Sequence, residues 1–217
     1  ETFINQKYQE LADYTNAYEQ KMVMSREVIA DKGIWTAKKR YILNVHNSEG
    51  VQYAEPKLKM MGIEAVKSST PQVCRDKIRD ALKLIMIGDE KDLNDFIQEF
   101  RKEWMEMSPT AIAFPRSCNG MGKWGDPNGI FKKGTPMHVK GALVYNYQLK
   151  DKKLHKKYPE IMEGEKVKFV YLKNPNPFQT NVFTFLTECP TELEVQKYVD
   201  YEKQFEKSYV EPLKFVT

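Results

Sequence analysis

The chain has 217 residues, of which 41% are hydrophobic and 29% charged, and its formal net charge is +4 at pH 7. This composition is that of an ordinary globular protein with one large domain or two small ones, and it excludes a disordered chain. The longest apolar runs, such as Leu84–Ile87, are too short to span a bilayer, and the polar N-terminal stretch is no signal peptide, so we expect a cytoplasmic protein without a membrane partner. The three cysteines, Cys74, Cys118 and Cys189, are odd in number and widely spaced, which argues against a disulfide framework and a zinc site.

The charges are segregated along the chain. Residues 32–79 hold ten Lys or Arg against four acids and residues 112–157 hold ten against two, whereas residues 80–111 hold four against eight. Two basic blocks separated by an acidic one are typical of a nucleic-acid-binding groove with an acidic outer surface. A membrane-surface protein would instead carry its cations on one face of an amphipathic helix. Nucleic acid is therefore the favoured partner.

The N-terminal segment predicts a helix. Apolar residues recur at three- and four-residue spacing from Phe3 to Tyr18, with polar residues on the other face, which is the pattern of a helix packed against a core. Residues 22–29 then predict a strand, and residues 31–33 predict a turn.

A single strand is predicted over Trp35–Val45, which contains many β-branched and aromatic residues and no Pro or Gly. Period-2 alternation places Lys39 and Tyr41 on its apolar face and Lys38 and Arg40 on the opposite face. Successive cations then cross the middle of the strand. Two interpretations stay open, a surface that contacts an anionic partner and a solvated edge strand protected from aggregation by its lysines.

A second turn is predicted at residues 47–50, from which the chain returns as a strand over residues 51–54. The coarse prediction up to residue 66 is therefore a helix followed by a three-stranded antiparallel meander.

A helix start is predicted where Ser69 or Thr70 would cap the helix and Pro71 would take the first helical position. Its predicted apolar stripe is Cys74, Ile78, Ala81, Leu82 and Ile85. The hydroxyls of Ser68, Ser69 and Thr70, with Lys67 beside them, suit an anion site at the helix N-terminus. Capping alone explains the hydroxyls equally well, and the two roles are compatible.

A second amphipathic helix is predicted from about Leu93 to Ser108. The acidic run at residues 89–92 is interpreted as first-turn acids that complement the helix dipole, in preference to a metal cluster.

A basic loop follows over residues 116–140, in which glycines would let backbone amides approach an anion. Gly120–Lys123 is not a nucleotide-binding loop, because Trp124 follows the lysine.

The remainder predicts a helix through residues 142–149, a small β unit with strands over 165–172 and 182–186, and a final helix capped by Thr191 and interrupted near Pro212. His138 and His155 have no companion ligands, which argues against a metal site. No catalytic constellation emerges, so the residues favour a duplex-binding module over a complete enzyme.

Short motifs in a fixed order cover nearly the whole chain. They are Gly33–Tyr41, Tyr53–Lys59, Lys67–Pro71, Ser117–Asn119, Lys123–Trp124, His138–Gly141, Glu163–Val167, Asn176–Phe178 and Val210–Leu213. In these motifs the chain resembles the C-terminal half of a family B replicative DNA polymerase of the large tailed bacteriophages. The resemblance implies an α+β fold, in which a partial antiparallel palm sheet with a packing helix precedes a mostly helical thumb with a small β unit. It assigns residues 1–66 to the palm and residues 67–217 to the thumb.

The resemblance also implies roles for individual residues. Lys39, Tyr41 and Lys67 would contact the minor groove at the primer terminus. A lysine suits this task, because the N3 and O2 acceptors occupy similar places in every correct base pair. The residues implied to bind duplex phosphates are Lys38, Arg40, Ser68, Ser69, Thr70, Ser117, Asn119, Lys123, Lys133, His138 and Lys140.

The family's catalytic aspartates, which hold two metal ions, have no counterpart in this sequence. We therefore expect no catalytic residue and no cofactor in this chain, and Mg²⁺ only in the complete polymerase. The expected partners are primer–template DNA and the missing part that carries the exonuclease, the fingers and the aspartates. Residues 1–31 would face that part, whether the chain is an excised fragment or a subunit of a split polymerase. The alternatives are a stand-alone, non-sequence-specific duplex-binding accessory protein and an assembly protein whose charges face protein.

Overall fold

The computed structural model of the chain describes residues 1–214. It contains two compact units, Glu1–Met61 and the residues from Gly62 onward. Each unit combines helices with a three-stranded antiparallel sheet, which confirms the predicted α+β class. Among residues 1–214, no helix is both long enough and apolar enough to cross a membrane. The assignment of residues 1–66 to a palm and of the remainder to a thumb stays a prediction.

The first unit is a helix followed by a meander, as predicted. Its elements are α1 (Thr2–Tyr14), β1 (Val28–Ala37), β2 (Arg40–Ser48) and β3 (Val51–Met61), with the strands in the order β1-β2-β3. The strand predicted over residues 22–29 is wrong except at its last two residues. The backbone of this segment bonds to side chains of the helix instead of a strand, since the Met24 amide donates to Asn5 Oδ1 at 2.6 Å and the Arg26 amide to Glu1 Oε1 at 2.5 Å.

The strand predicted over Trp35–Val45 is in fact two strands joined by a turn at residues 38 and 39. Lys39 has φ 62°, so it reverses the chain in the left-handed region and lies on no strand face. Alternation placed Trp35 and Val45 on the apolar face and Ile42 on the opposite face, but Trp35 is 69% exposed and Ile42 is fully buried, so the prediction holds for Val45 and is wrong for the other two. The turn predicted at residues 31–33 lies within β1.

The first helix does not pack against a core within its own unit, which corrects the prediction of a core-packing helix. Of its residues only Ala12 is buried. Phe3 and Tyr14 are 67% and 89% exposed, and Leu11 is exposed as well. The helix α1 is therefore amphipathic, but within its own unit the described residues do not bury its apolar side chains.

The second unit begins with α2 (Gln72–Ile87) and α3 (Glu90–Glu106), both as predicted. The first starts one residue later than expected, because Pro71 has an extended ψ of 144° and occupies the N-cap position. Its buried stripe is the predicted one except that Met86 replaces Ile85. At the start of α3, Asp89 Oδ1 accepts from the Asp92 amide at 2.8 Å, which is a capping role.

The second sheet consists of β4 (Phe114–Ser117), β5 (Lys166–Tyr171) and β6 (Val182–Phe185), in that order, and α6 (Met137–Asp151) packs on β6. The two later strands were predicted, whereas β4 lies where a loop was expected. It forms because Phe114 stacks on Phe169 of β5 at 5.2 Å between ring centroids. The helix α6 also starts earlier than expected, so its first turn includes His138 and Lys140.

Short α-helices connect or close the described part of the second unit. They are α4 (Pro109–Ile112), α5 (Met121–Trp124), α7 (Tyr201–Phe205) and α8 (Glu211–Lys214). Thr191 starts only a 3₁₀ turn, and the α-helix is capped by Asp200, which accepts from the Lys203 amide at 3.1 Å. The interruption predicted near Pro212 is a π-helical turn over Glu206–Val210, which separates α7 from α8. In a π-helical turn each backbone hydrogen bond spans five residues instead of four. Pro212, just after this turn, has no backbone N–H to donate.

Candidate nucleic-acid interface

In the first unit, the predicted site residues converge on the tip of the β1–β2 hairpin. Lys38 and Lys39 are the exposed turn residues, and Arg40 and Tyr41 are the half-buried first residues of β2. Tyr41 pairs with Trp35 across the hairpin. The side chains of Lys38 and Lys39 can reach into a groove or along a phosphate backbone, since the turn leaves them exposed, and the half-buried Arg40 adds a third positive charge next to them.

In the second unit, three predicted phosphate-binding residues meet at one cleft. The cleft has a volume of about 410 Å³ and is lined by Ser68, Ser69, Pro115, Arg116, Ser117 and Lys166. The antiparallel register of β4 and β5 sets Ser117 opposite Lys166. Arg116 Nη1 donates to the carbonyl oxygen of Ser69 at 2.7 Å, which ties the segment before α2 to β4.

Lys67 and Thr70 lie at the start of the second unit but differ in accessibility. Lys67 Nζ forms an ion pair with Glu64 Oε1 at 2.7 Å, in which the lysine side chain is 43% exposed. An ion pair this exposed contributes little stability and exchanges readily with another anion. Thr70 is buried, and it lines a neighbouring cleft of about 600 Å³ that also includes Arg75 and Lys168.

The glycine-containing loop after β4 presents Asn119, Lys123 and Lys133 to solvent. A carboxylate from another segment holds its shape, because Glu163 accepts hydrogen bonds from the amides of Gly120 and Met121. The Glu163 carboxylate therefore already binds backbone amides of this loop, which were predicted to approach an anion from outside the chain.

Lys140 and His138, in the first turn of α6, are engaged inside the protein. Lys140 Nζ donates to Asn181 Oδ1 at 3.0 Å and lies 4.7 Å from the Phe131 ring centroid, and burial lowers its pKa. Burial and the nearby charge of Arg116 lower the pKa of His138, so this imidazole is neutral at pH 7. Neither residue presents an exposed positive charge, unlike the lysines of the loop.

Sequence reasoning missed Arg116 and Lys166. Residues 114–117 show no period-2 alternation, and four residues are too few for such a pattern to distinguish a strand from a loop. Among residues 1–214, no group of three or more His, Cys, Asp or Glu side chains is placed to hold a metal ion.

A two-unit α+β chain with a cationic hairpin tip and a cationic cleft is similar, along its whole length, to a portion of the DNA-directed DNA polymerases of bacteriophages. The relatives are the polymerase of Enterobacteria phage T4, 33% identical over 98% of this chain and 24% of the relative, and that of Escherichia phage RB69, 35% identical over 100% of this chain and 25% of the relative. These similarities confirm the resemblance found in the sequence motifs. The chain therefore spans about a quarter of the length of these curated relatives. It matches no protein-family model.

Proposed function

We propose that this chain is the palm–thumb part of a bacteriophage DNA polymerase and that it holds the primer–template duplex during replication. The similarity to two phage DNA polymerases over essentially all of the chain carries this proposal. In it, residues 1–66 form the C-terminal part of the palm and residues 67–217 form the thumb.

The β1–β2 hairpin tip is proposed to contact the minor groove at the primer terminus. Lys39 would donate to the N3 and O2 acceptors of the terminal base pair, Tyr41 would hold the primer strand, and Lys67 would donate from the thumb. These acceptors are common to all correct pairs, so the contact tests the geometry of the pair without reading its sequence. The exposure of Lys39 in the turn supports this role.

The remaining predicted residues are proposed to hold phosphates of the duplex, which is a sequence-independent and salt-sensitive attachment. Their accessibility supports the proposal most for Ser68, Ser117, Asn119, Lys123 and Lys133, which are exposed. Lys38 and Arg40 would act from the hairpin tip.

The catalytic carboxylates and their Mg²⁺ ions are proposed to belong to the three quarters of the polymerase that this chain does not span. In such metal sites the carboxylates position the ions that stabilise the charge of nucleotidyl transfer. The exposed apolar side chains of residues 1–31, which include Phe3, Leu11 and Tyr14, support a contact with that missing part.

Duplex binding can be tested by fluorescence anisotropy of a labelled primer–template titrated with the chain across salt concentrations. If roughly four to six phosphates are neutralised, log K falls with log salt at a slope of about −4 to −5. The double variant Lys39→Ala/Lys67→Ala should bind more weakly, while Lys102→Ala, in the acidic helix α3, serves as the control. Binding without salt dependence, or no binding with the fold intact by circular dichroism, would contradict the proposal.

The polymerase assignment needs a second assay, because an accessory protein would also bind duplex. Primer extension should be absent with the chain alone and should appear when it is mixed with the complementary part of the polymerase. Tight duplex binding without any association with that part would favour the stand-alone accessory protein instead.

A further inference from the structure

Arg116 is a half-buried cation, and among residues 1–214 it donates to carbonyl oxygens and not to a carboxylate. Its Nη1 donates to the carbonyl oxygens of Ser69 at 2.7 Å and of Pro115 at 2.9 Å. Its guanidinium carbon lies 5.8 Å from the Phe114 ring centroid and 5.9 Å from that of Phe169. A guanidinium has five N–H donors, and within the described residues Nε and Nη2 of Arg116 have no hydrogen-bond acceptor.

Partial burial without a counter-charge is energetically unfavourable for the guanidinium of Arg116. Burial lowers the pKa of Arg116, but an arginine stays protonated at any pH at which a protein works. A partly desolvated cation that is bonded only to neutral carbonyl oxygens lacks the counter-charge that usually accompanies it. An anion at Nε and Nη2 would offset the cost of burying the charge.

The surroundings of Arg116 match a phosphate group. The cleft of about 410 Å³ that it lines also contains Ser68, Ser117 and Lys166, which provide two hydroxyls and a second, exposed cation. Planar guanidinium donors match two phosphate oxygens at once, and hydroxyls complete the coordination. No side chain of Asp or Glu lines the cleft.

We propose that this cleft binds one phosphate group of a DNA strand, with Arg116 as its principal cation and Lys166 as the second. The proposal rests on the proposed function and adds two binding residues to it. Arg116 also fixes the Ser69 carbonyl, so it sets Ser68 and Ser69 beside Ser117 before the strand arrives. The strand would be bound without regard to its base sequence.

The variants Arg116→Gln and Lys166→Gln test the proposal, with Lys102→Gln on α3 as the matched control. In the anisotropy titration, each cleft variant should bind the duplex about five- to tenfold more weakly and reduce the steepness of the salt dependence, and the double variant should reduce it by about 0.9, the value for one lost phosphate contact. A role of Arg116 in folding alone would leave that slope unchanged. Lys166 is exposed on the surface, so its variant answers the question even where Arg116→Gln is unstable.

A second arm uses inorganic phosphate and the melting temperature Tm. Phosphate, compared with chloride at equal ionic strength, should raise the Tm of the wild-type chain more than that of Arg116→Gln, because a ligand that binds only the folded state stabilises it. If phosphate acts in this way but neither variant alters duplex binding, the cleft takes free phosphate and the DNA assignment is overturned. If the wild type binds duplex and both variants match the control in both arms, the inference fails while the proposed function stands. If the wild type does not bind duplex, the proposed function fails first.

Discussion

Lys39 occupies a backbone conformation that glycine would adopt at lower cost. Its φ of 62° is left-handed, as is the φ of 51° at Glu49 in the turn between β2 and β3. For an L-residue this conformation costs about 1–2 kcal/mol. At the hairpin tip this conformation leaves the lysine side chain exposed.

Replacement of Lys39 by glycine should therefore stabilise the chain and weaken duplex binding. The expected gain is about 0.5–1 kcal/mol in the free energy of unfolding, because relief of the left-handed strain exceeds the extra chain entropy of glycine. Urea unfolding and duplex anisotropy measure the two effects. Glu49→Gly is the control, since it relieves the same strain and should leave binding unchanged. Equal binding by both variants would remove Lys39 from the proposed interface.

The three thiols should be unreactive in the folded chain. Burial raises the pKa of Cys74 and of Cys189 to about 12 and that of Cys118 to about 11, from an ordinary value of 9.0. The thiolate is the nucleophile, so labelling with a disulfide reagent at pH 8 should be slow until urea unfolds the chain. Because the unfolded thiols ionise at lower pH, their contribution to stability is complete below pH 9 and is lost as the pH rises through the folded pKa values. Rapid labelling of the folded chain would contradict this burial.

At the scale of single elements, local patterns predicted the helices better than the strands. The stripes of α2 and α3 follow a 3.6-residue period over four turns or more, so the sequence predicted both helices to within a few residues. The turn at Lys38–Lys39 contains no Gly, Asn or Pro, and its left-handed residue gave no local signal. The strand β4 exists only through its pairing with β5, about fifty residues later, which no local pattern reveals.

The residues of the candidate site show the same difference between local signals, which the sequence reveals, and long-range contacts, which it does not. The motifs of the family resemblance predicted the hairpin cations and the serines of the cleft, because each of these residues lies within one of the short motifs. Lys166 meets Ser117 only through the register of the second sheet, and Arg116 meets Ser69 only through a hydrogen bond between residues 47 positions apart. The internal engagement of Lys140 likewise depends on Asn181, about forty residues away.

The packing of α6 on β6 depends on a glycine. A Cβ added at Gly141 would lie 2.8 Å from the Thr184 amide nitrogen and 3.0 Å from the Phe183 carbonyl carbon, and it would also collide with Thr184 Oγ1. Gly141→Ala should therefore push the helix from the strand and lower the free energy of unfolding by about 1–3 kcal/mol. Gly122→Ala is the control, because a Cβ there meets no atom within 4 Å. Urea unfolding that gives the same midpoint for both variants would refute the close contact.

At the scale of the whole molecule, the distribution of exposed apolar residues is uneven. The helix α1 and the segment after it expose Phe3, Leu11, Tyr14, Tyr18 and Val23. Contiguous exposed apolar surface marks an interaction site in many proteins, and these residues are the candidates for one. Under the proposed function, its partner would be the part of the polymerase that this chain does not span.

Leu11→Lys should abolish association with the complementary part of the polymerase while the chain itself stays folded. The side chain is exposed in the chain alone, so the free energy of unfolding should change by no more than about 0.5 kcal/mol. Sedimentation of the mixed parts measures the association. Gln6→Lys adds the same charge on the polar face of α1 and should leave association intact. Association that survives Leu11→Lys would place the contact elsewhere.

The carboxylate of Glu163, which binds the Gly120 and Met121 amides, has a consequence for the energetics of any ligand at the loop. Since the loop adopts its shape during folding, its conformational entropy is already lost before binding begins. The preorganised loop then presents Asn119 and Lys123 at fixed positions, so more of each contact appears as affinity. Where two DNA strands bind this loop with different affinities, the residence times of their complexes should therefore differ and the association rates should not.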